Sequence, residues 1–238
     1  MTIYIEKDRF PISKIFLVSI YLLVPGIVWL LSTGNLQNYF AMQVPSGQFV
    51  YILSKLFGLY AIALLWLQLV PTLLSPHFHI LPNVFYRYHR CIGSLSFIFL
   101  ILHVITFGIA VFVRSGDLNL GLLVPHFSSG FYRQMVSLGA IAFWGFVLVF
   151  IAGICRAFSH KRKPLKNIWA ILHKLSHASF LLVFIHSLAI GTESRQVLMI
   201  GFYWLYGLTY LLVVAGLLLV KMNIRSLNDD NRIPQVSR

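Results

Sequence analysis

Read from the first residue, the chain alternates long apolar runs with short polar connectors, and six of the runs are long enough to cross a bilayer. At about 1.5 Å of rise per residue, about 20 apolar residues are needed to span a hydrocarbon core about 30 Å thick. Residues 13–32, 51–74, 88–113, 134–155, 168–190 and 197–220 meet that length. Backbone groups in hydrocarbon must be satisfied within their own segment, so each run is predicted to be a helix. The expected fold class is all-α, a polytopic six-helix transmembrane bundle. The first run, Ile15 to Leu31, is too long for the core of a signal peptide and no small-x-small cleavage site follows it, so it is expected to remain as a helix. Pro25 and Gly26 near its middle predict a kink.

Composition changes this picture little and charge adds direction. The chain has 238 residues, 58% of them apolar and 11% charged, with a mean hydropathy of +0.82, which excludes an ordinary soluble domain. Fifteen of the 19 Lys and Arg residues fall on one side of the predicted helices. The other four are Lys55, inside the second helix, and Arg114, Arg133 and Arg195 on the opposite side. Positive residues beside helix ends are retained in the cytoplasm, so both termini are expected there. Residues 1–12 and 222–238 are then cytoplasmic tails around one membrane domain at 13–221, expected in a bacterial inner (plasma) membrane. The net charge of +13 is explained by topology, since the cations are spread over short loops without a nucleic-acid motif; no nucleic-acid partner is expected. The run His160, Lys161, Arg162, Lys163 reads as a stop against the inner leaflet. Cys91 and Cys155 lie near cytoplasmic helix ends, where no disulfide is expected.

The chemistry is carried by histidines. Ionisable groups in hydrocarbon are costly and usually face the interior of a bundle. His89 and His103 are fourteen residues apart, nearly four helical turns, so they share one face about 21 Å apart along the axis. His173 and His186 are thirteen apart, a similar rise, although on an ideal helix they point about 140° away from each other. The third and fifth helices run in the same direction, which puts His89 level with His173 and His103 level with His186. Each level would offer two imidazoles, the axial ligand set of a six-coordinate heme that favours electron transfer. His177 lies one turn after His173 and is an alternative inner ligand, a partner behind the ligand, or a contact to a heme propionate. No C-x-x-C-H is present, so no covalent heme attachment is expected.

Propionates need cations. Arg90 and Lys174 are placed at the inner level, and Lys55, Arg114 and Arg133 near the outer one. Lys55, inside an apolar helix, must find a partner or reach the interface. Gly93 and Gly108, four and five residues after the two histidines of the third helix, are gaps where a flat macrocycle could approach the backbone. His126, with Asp117 and Arg133, is a weaker candidate for placing an acceptor, and His77 with His79 forms a two-ligand H-x-H.

The string His89-Arg90-Cys91-Ile92-Gly93 followed by Leu102-His103, then Trp169 with Leu172-His173 and later Ile185-His186, resembles the ferric reductase-like transmembrane domain superfamily. The likeness covers about residues 45–220. That superfamily includes the membrane parts of NADPH oxidases and iron reductases and the heme subunit of periplasmic methionine sulfoxide reductase, in which the position of His89 is commonly arginine. The resemblance implies two b-type hemes, with His89 and His173 on the inner one and His103 and His186 on the outer. It also implies an oxidoreductase, or the heme subunit of one. No nicotinamide or flavin domain follows the sixth helix here, so electrons are expected from a separate flavoprotein reductase, with FMN or FAD, or from a membrane quinol. The expected acceptor lies outside: ferric iron, oxygen or a periplasmic redox protein. The reading from another class is a histidine-lined metal or proton transporter, which calls for acidic groups within the helices; all six carboxylates are expected in loops or tails.

Overall fold

The computed structural model describes residues 12–40, 44–74, 82–118, 120–127, 130–158 and 163–230. His77, His79 and the basic residues His160 to Arg162 lie outside the described residues. Six helices follow in order: α1 (Ile12–Thr33), α2 (Gln48–Leu74), α3 (Pro82–Ser115), α4 (Phe131–Phe158), α5 (Lys163–Ile190) and α6 (Val197–Asp230). Among the described residues there is no strand. Each predicted run is a helix, and the differences are at the ends. α3 begins six residues early, at Pro82, because proline lacks an N–H that a first helical turn would leave unpaired anyway. α6 runs on through Asp230, past the expected start of the tail, since residues 221–230 contain neither glycine nor proline to stop it.

Among the described residues, five helices carry stretches long and apolar enough to cross a membrane: Gln48–Pro71, Tyr88–Ser115, Phe131–Cys155, Ile171–Ile190 and Val197–Val220. Within α1 the described apolar stretch is Ser19–Thr33. The chain is therefore an all-α membrane protein. Leucines and isoleucines such as Ile98, Ile105, Leu208 and Leu212 stand exposed on the outside, as a lipid-facing surface requires.

Half of the α2 span is buried, against 17–28% of the other four, which makes α2 the central helix. It packs along α3 and also touches α1, α5 and α6. Lipid tails are as apolar as leucine, so association depends on close packing and on polar links between helices. Trp29 donates to the Ile52 carbonyl at 2.7 Å, Tyr21 to the Ala63 carbonyl at 2.8 Å, and Trp66 to Thr209 Oγ1 at 3.0 Å. Tyr21, Trp66 and Tyr206 stack in sequence, binding α1, α2 and α6 together.

α4 and α5 form the second close pair. Gly145 permits it, since a Cβ there would collide with the Ser179 hydroxyl. α2/α3 and α4/α5 are thus two hairpins, with little packing between them. Gly145→Leu is expected to force α4 from α5 at a cost of about 1–3 kcal/mol, seen as a lower Tm by circular dichroism in detergent. Gly153→Leu, which faces open space on the same helix, should leave Tm unchanged.

Candidate functional site

At the end of the bundle where the Glu193–Arg195 turn lies, His103 from α3 and His186 from α5 line one cavity of about 410 Å³. Each ring is held from behind by the other helix of its own hairpin. Nδ1 of His103 donates to the Ser54 carbonyl on α2, and Nδ1 of His186 to the Met135 carbonyl on α4, both at 2.7 Å. A carbonyl only accepts, so the proton sits on Nδ1 and the lone pair on Nε2 in both residues. That is the tautomer and the orientation of a metal-ligating imidazole with a carbonyl behind it.

Two glycines make room for these rings. A Cβ at Gly58 would lie 3.1 Å from Nδ1 of His103, and one at Gly139 would lie 2.8 Å from Cε1 of His186. Gly108 also lines the cavity, and its Cβ position has nothing within 4 Å. Leu118, Leu120, Leu122 and Leu123 supply an apolar wall.

The rim of the same cavity is charged. The Lys55 ammonium lies 3.1 Å from Glu193 Oε1 and donates to Thr192 Oγ1 at 2.6 Å, and that hydroxyl donates to Glu193 Oε2 at 2.9 Å. It also stands 4.8 Å from the ring centre of Tyr51, with the Arg114 guanidinium 5.9 Å from the same ring. Arg114 donates to Gln48 at 2.7 Å. Lys55 thus finds its partner in the turn between α5 and α6, at the end of the bundle. Glu193 lies in that short turn, as expected of a loop carboxylate, yet its side chain is only 8% exposed and lines the cavity. The Lys55 ammonium offsets the cost of burying that carboxylate.

The second pair meets at the other end of α3 and α5. The rings of His89 and His173 are 5.8 Å apart between centroids and edge-on at 67°. The thirteen-residue spacing is accommodated because the two α5 imidazoles leave the helix on different sides, His186 toward α4 and His173 toward His89. His177 does not join the pair; its Nδ1 meets the Tyr210 hydroxyl of α6 at 3.1 Å. Arg90 and Lys174 are exposed beside their histidines. Arg133, His126 and Asp117 are exposed and do not line the cavity.

Gln68, on α2, was not singled out from the sequence. Its amide nitrogen donates toward Nε2 of His89 at 3.4 Å, and its Oε1 accepts from Ser96 Oγ at 3.5 Å. A Cβ at Gly93 would lie 2.5 Å from the same amide, so this glycine makes room for Gln68 and not for a macrocycle. The available signal was an amide inside an apolar run.

Among the described residues, no group of three or more His, Cys, Asp or Glu side chains is arranged to hold a metal ion. Both levels are two-imidazole arrangements. Comparison of the chain with protein-family models, with curated proteins and with solved structures finds no match.

Lys55→Met and Glu193→Gln should each lower stability by about 1–3 kcal/mol, because each leaves one charge of a mostly buried pair without its counter-ion. The double variant should lose less than the two single losses added, in thermal melts of the detergent-solubilised protein.

Proposed function

We propose that this chain is a heme-carrying electron-transfer protein of the ferric reductase-like kind, passing electrons across the membrane through two b-type hemes. The observation that carries the reading is the cavity between the hairpins, where His103 and His186 both have Nδ1 bonded to a carbonyl and Nε2 left as the basic nitrogen. Two neutral imidazoles, one from each hairpin, lining one apolar cavity are the ligand pair that a b-type heme would take. Heme, when bound, supplies a one-electron iron couple; the protein supplies ligands, spacing and a dry path.

His103 and His186 would hold the outer group and His89 and His173 the inner one, about 21 Å away along α3. Lys55 and Arg114, both against Tyr51 at the rim, would face the outer propionates, with Glu193 balancing one of the two charges. His177, turned to Tyr210, would stand beside the inner group rather than on its iron. The excess of Lys and Arg on one side favours both termini in the cytoplasm of a bacterial inner membrane. Electrons would enter there from a flavoprotein reductase carrying FMN or FAD, or from quinol, and leave to ferric iron, oxygen or a periplasmic redox protein.

A second reading is favoured by one observation. The buried Lys55–Glu193 pair puts a carboxylate in the same cavity as two imidazoles, which suits a proton path through a transporter.

Oxidised and dithionite-reduced spectra of the purified protein, with a heme-to-protein ratio, separate the two. A ratio near two is expected. His103→Ala and His186→Ala should each remove the same component, His89→Ala and His173→Ala the other, and His177→Ala neither. Absence of heme from the wild-type protein would favour the transporter, and loss of heme in His177→Ala but not in His173→Ala would reassign the inner ligand.

A further inference from the structure

α2 reaches both histidines of α3, but it reaches them at different atoms. Ser54 and Gln68 are fourteen residues apart on α2, as are His89 and His103 on α3, so the two antiparallel helices present one contact at each level in the same register. At the outer level the Ser54 carbonyl takes the proton of Nδ1, on the far side of the ring from Nε2. At the inner level the Gln68 amide donates toward Nε2 itself. The amide is not placed there by chance of rotamer alone: Gly93 leaves the notch it occupies, and Ser96 Oγ, which donates to the Gly93 carbonyl at 3.0 Å, lies 3.5 Å from its oxygen.

We infer that Gln68 is a positioning residue for His89 and makes the inner cofactor position the weaker of the two. The inference rests on the heme reading above. A single lone pair on Nε2 serves either the amide N–H or an iron, so holding a heme at the inner level exchanges a hydrogen bond that the outer level never has to give up. A hydrogen bond of ordinary net strength corresponds to a difference of roughly two- to tenfold in binding. The same contact turns the His89 ring and marks Nε2 as its basic nitrogen, so Gln68 also fixes which atom is presented.

The test follows heme loss from the heme-loaded protein to excess apomyoglobin, with the inner component identified by its absence in His173→Ala and the outer by its absence in His186→Ala. In the wild type the inner component should leave faster. Gln68→Met, which keeps the length and removes the donor, should slow inner loss two- to tenfold and leave outer loss unchanged. Gln68→Asn, one methylene short of the ring, should behave in the same direction and serves if the methionine variant does not accumulate. Should the wild type purify with a ratio near one, Gln68→Met should raise it toward two. Inner loss unchanged in both variants, or both components changed equally as a general loosening of the fold would produce, overturns the assignment. A wild-type protein without heme fails at the first spectrum and overturns the heme reading itself, a result distinct from either of these.

Discussion

Polar groups inside a bilayer are costly unless the protein itself supplies a partner, and in this bundle that cost orients the imidazoles. The carbonyls of Ser54 and Met135 belong to α2 and α4, and they take the Nδ1 protons of His103 and His186. A ring so held cannot present Nδ1 to anything else. Its second nitrogen is left basic, and the two hairpins are spaced so that both rings border one cavity. The hairpin, and not the single helix, is therefore the unit that prepares a ligand: one helix carries the histidine and its neighbour sets the tautomer.

The close approach that this requires depends on residues with no side chain. Gly58 and Gly139 lie against the two rings, and Gly145 lets α4 meet α5 beside Ser179. Larger residues there would separate the helices and lengthen the imidazole to carbonyl bonds beyond useful range. α2 carries the greatest share of this work because it is the most buried helix and contacts α1, α3, α5 and α6.

The two ends of the bundle are built from the same plan with different chemistry around it. One end gathers Lys55, Glu193, Tyr51 and Arg114 at the rim of a cavity, a setting with both signs of charge. The other end has neutral partners, the Gln68 amide beside His89 and the Tyr210 phenol on His177. Charges at a rim tune how an anionic group is seated; neutral donors near a ligand tune how readily that ligand is given up. The outer level thus has an ion pair on its lining, and the inner level has neutral donors on its histidines with Arg90 and Lys174 exposed beside them.

Much of this was legible in the sequence, and the reason is that lipid permits so few solutions. Six apolar runs of sufficient length dictate helices, and all six are present, with α6 extended only because nothing in residues 221–230 interrupts it. The matching of His89 with His173 and of His103 with His186 followed from spacing and from two helices running the same way. What spacing could not supply were contacts between helices distant in the chain. Glu193 reads as a loop carboxylate and is one, but that Lys55, 138 residues earlier, pairs with it and buries it is seen only in the fold. Gly93 reads as a gap for a ligand until the Gln68 side chain is found in it. His173 and His177 share one face of α5 in sequence, and only the positions of His89 and Tyr210 tell them apart. Hydrophobic length and helical period are properties of a single segment, so the chain alone determined the spans and the level of each histidine. Which nitrogen each ring presents, and what stands next to it, depend on the neighbouring helix, and only the tertiary structure decided them.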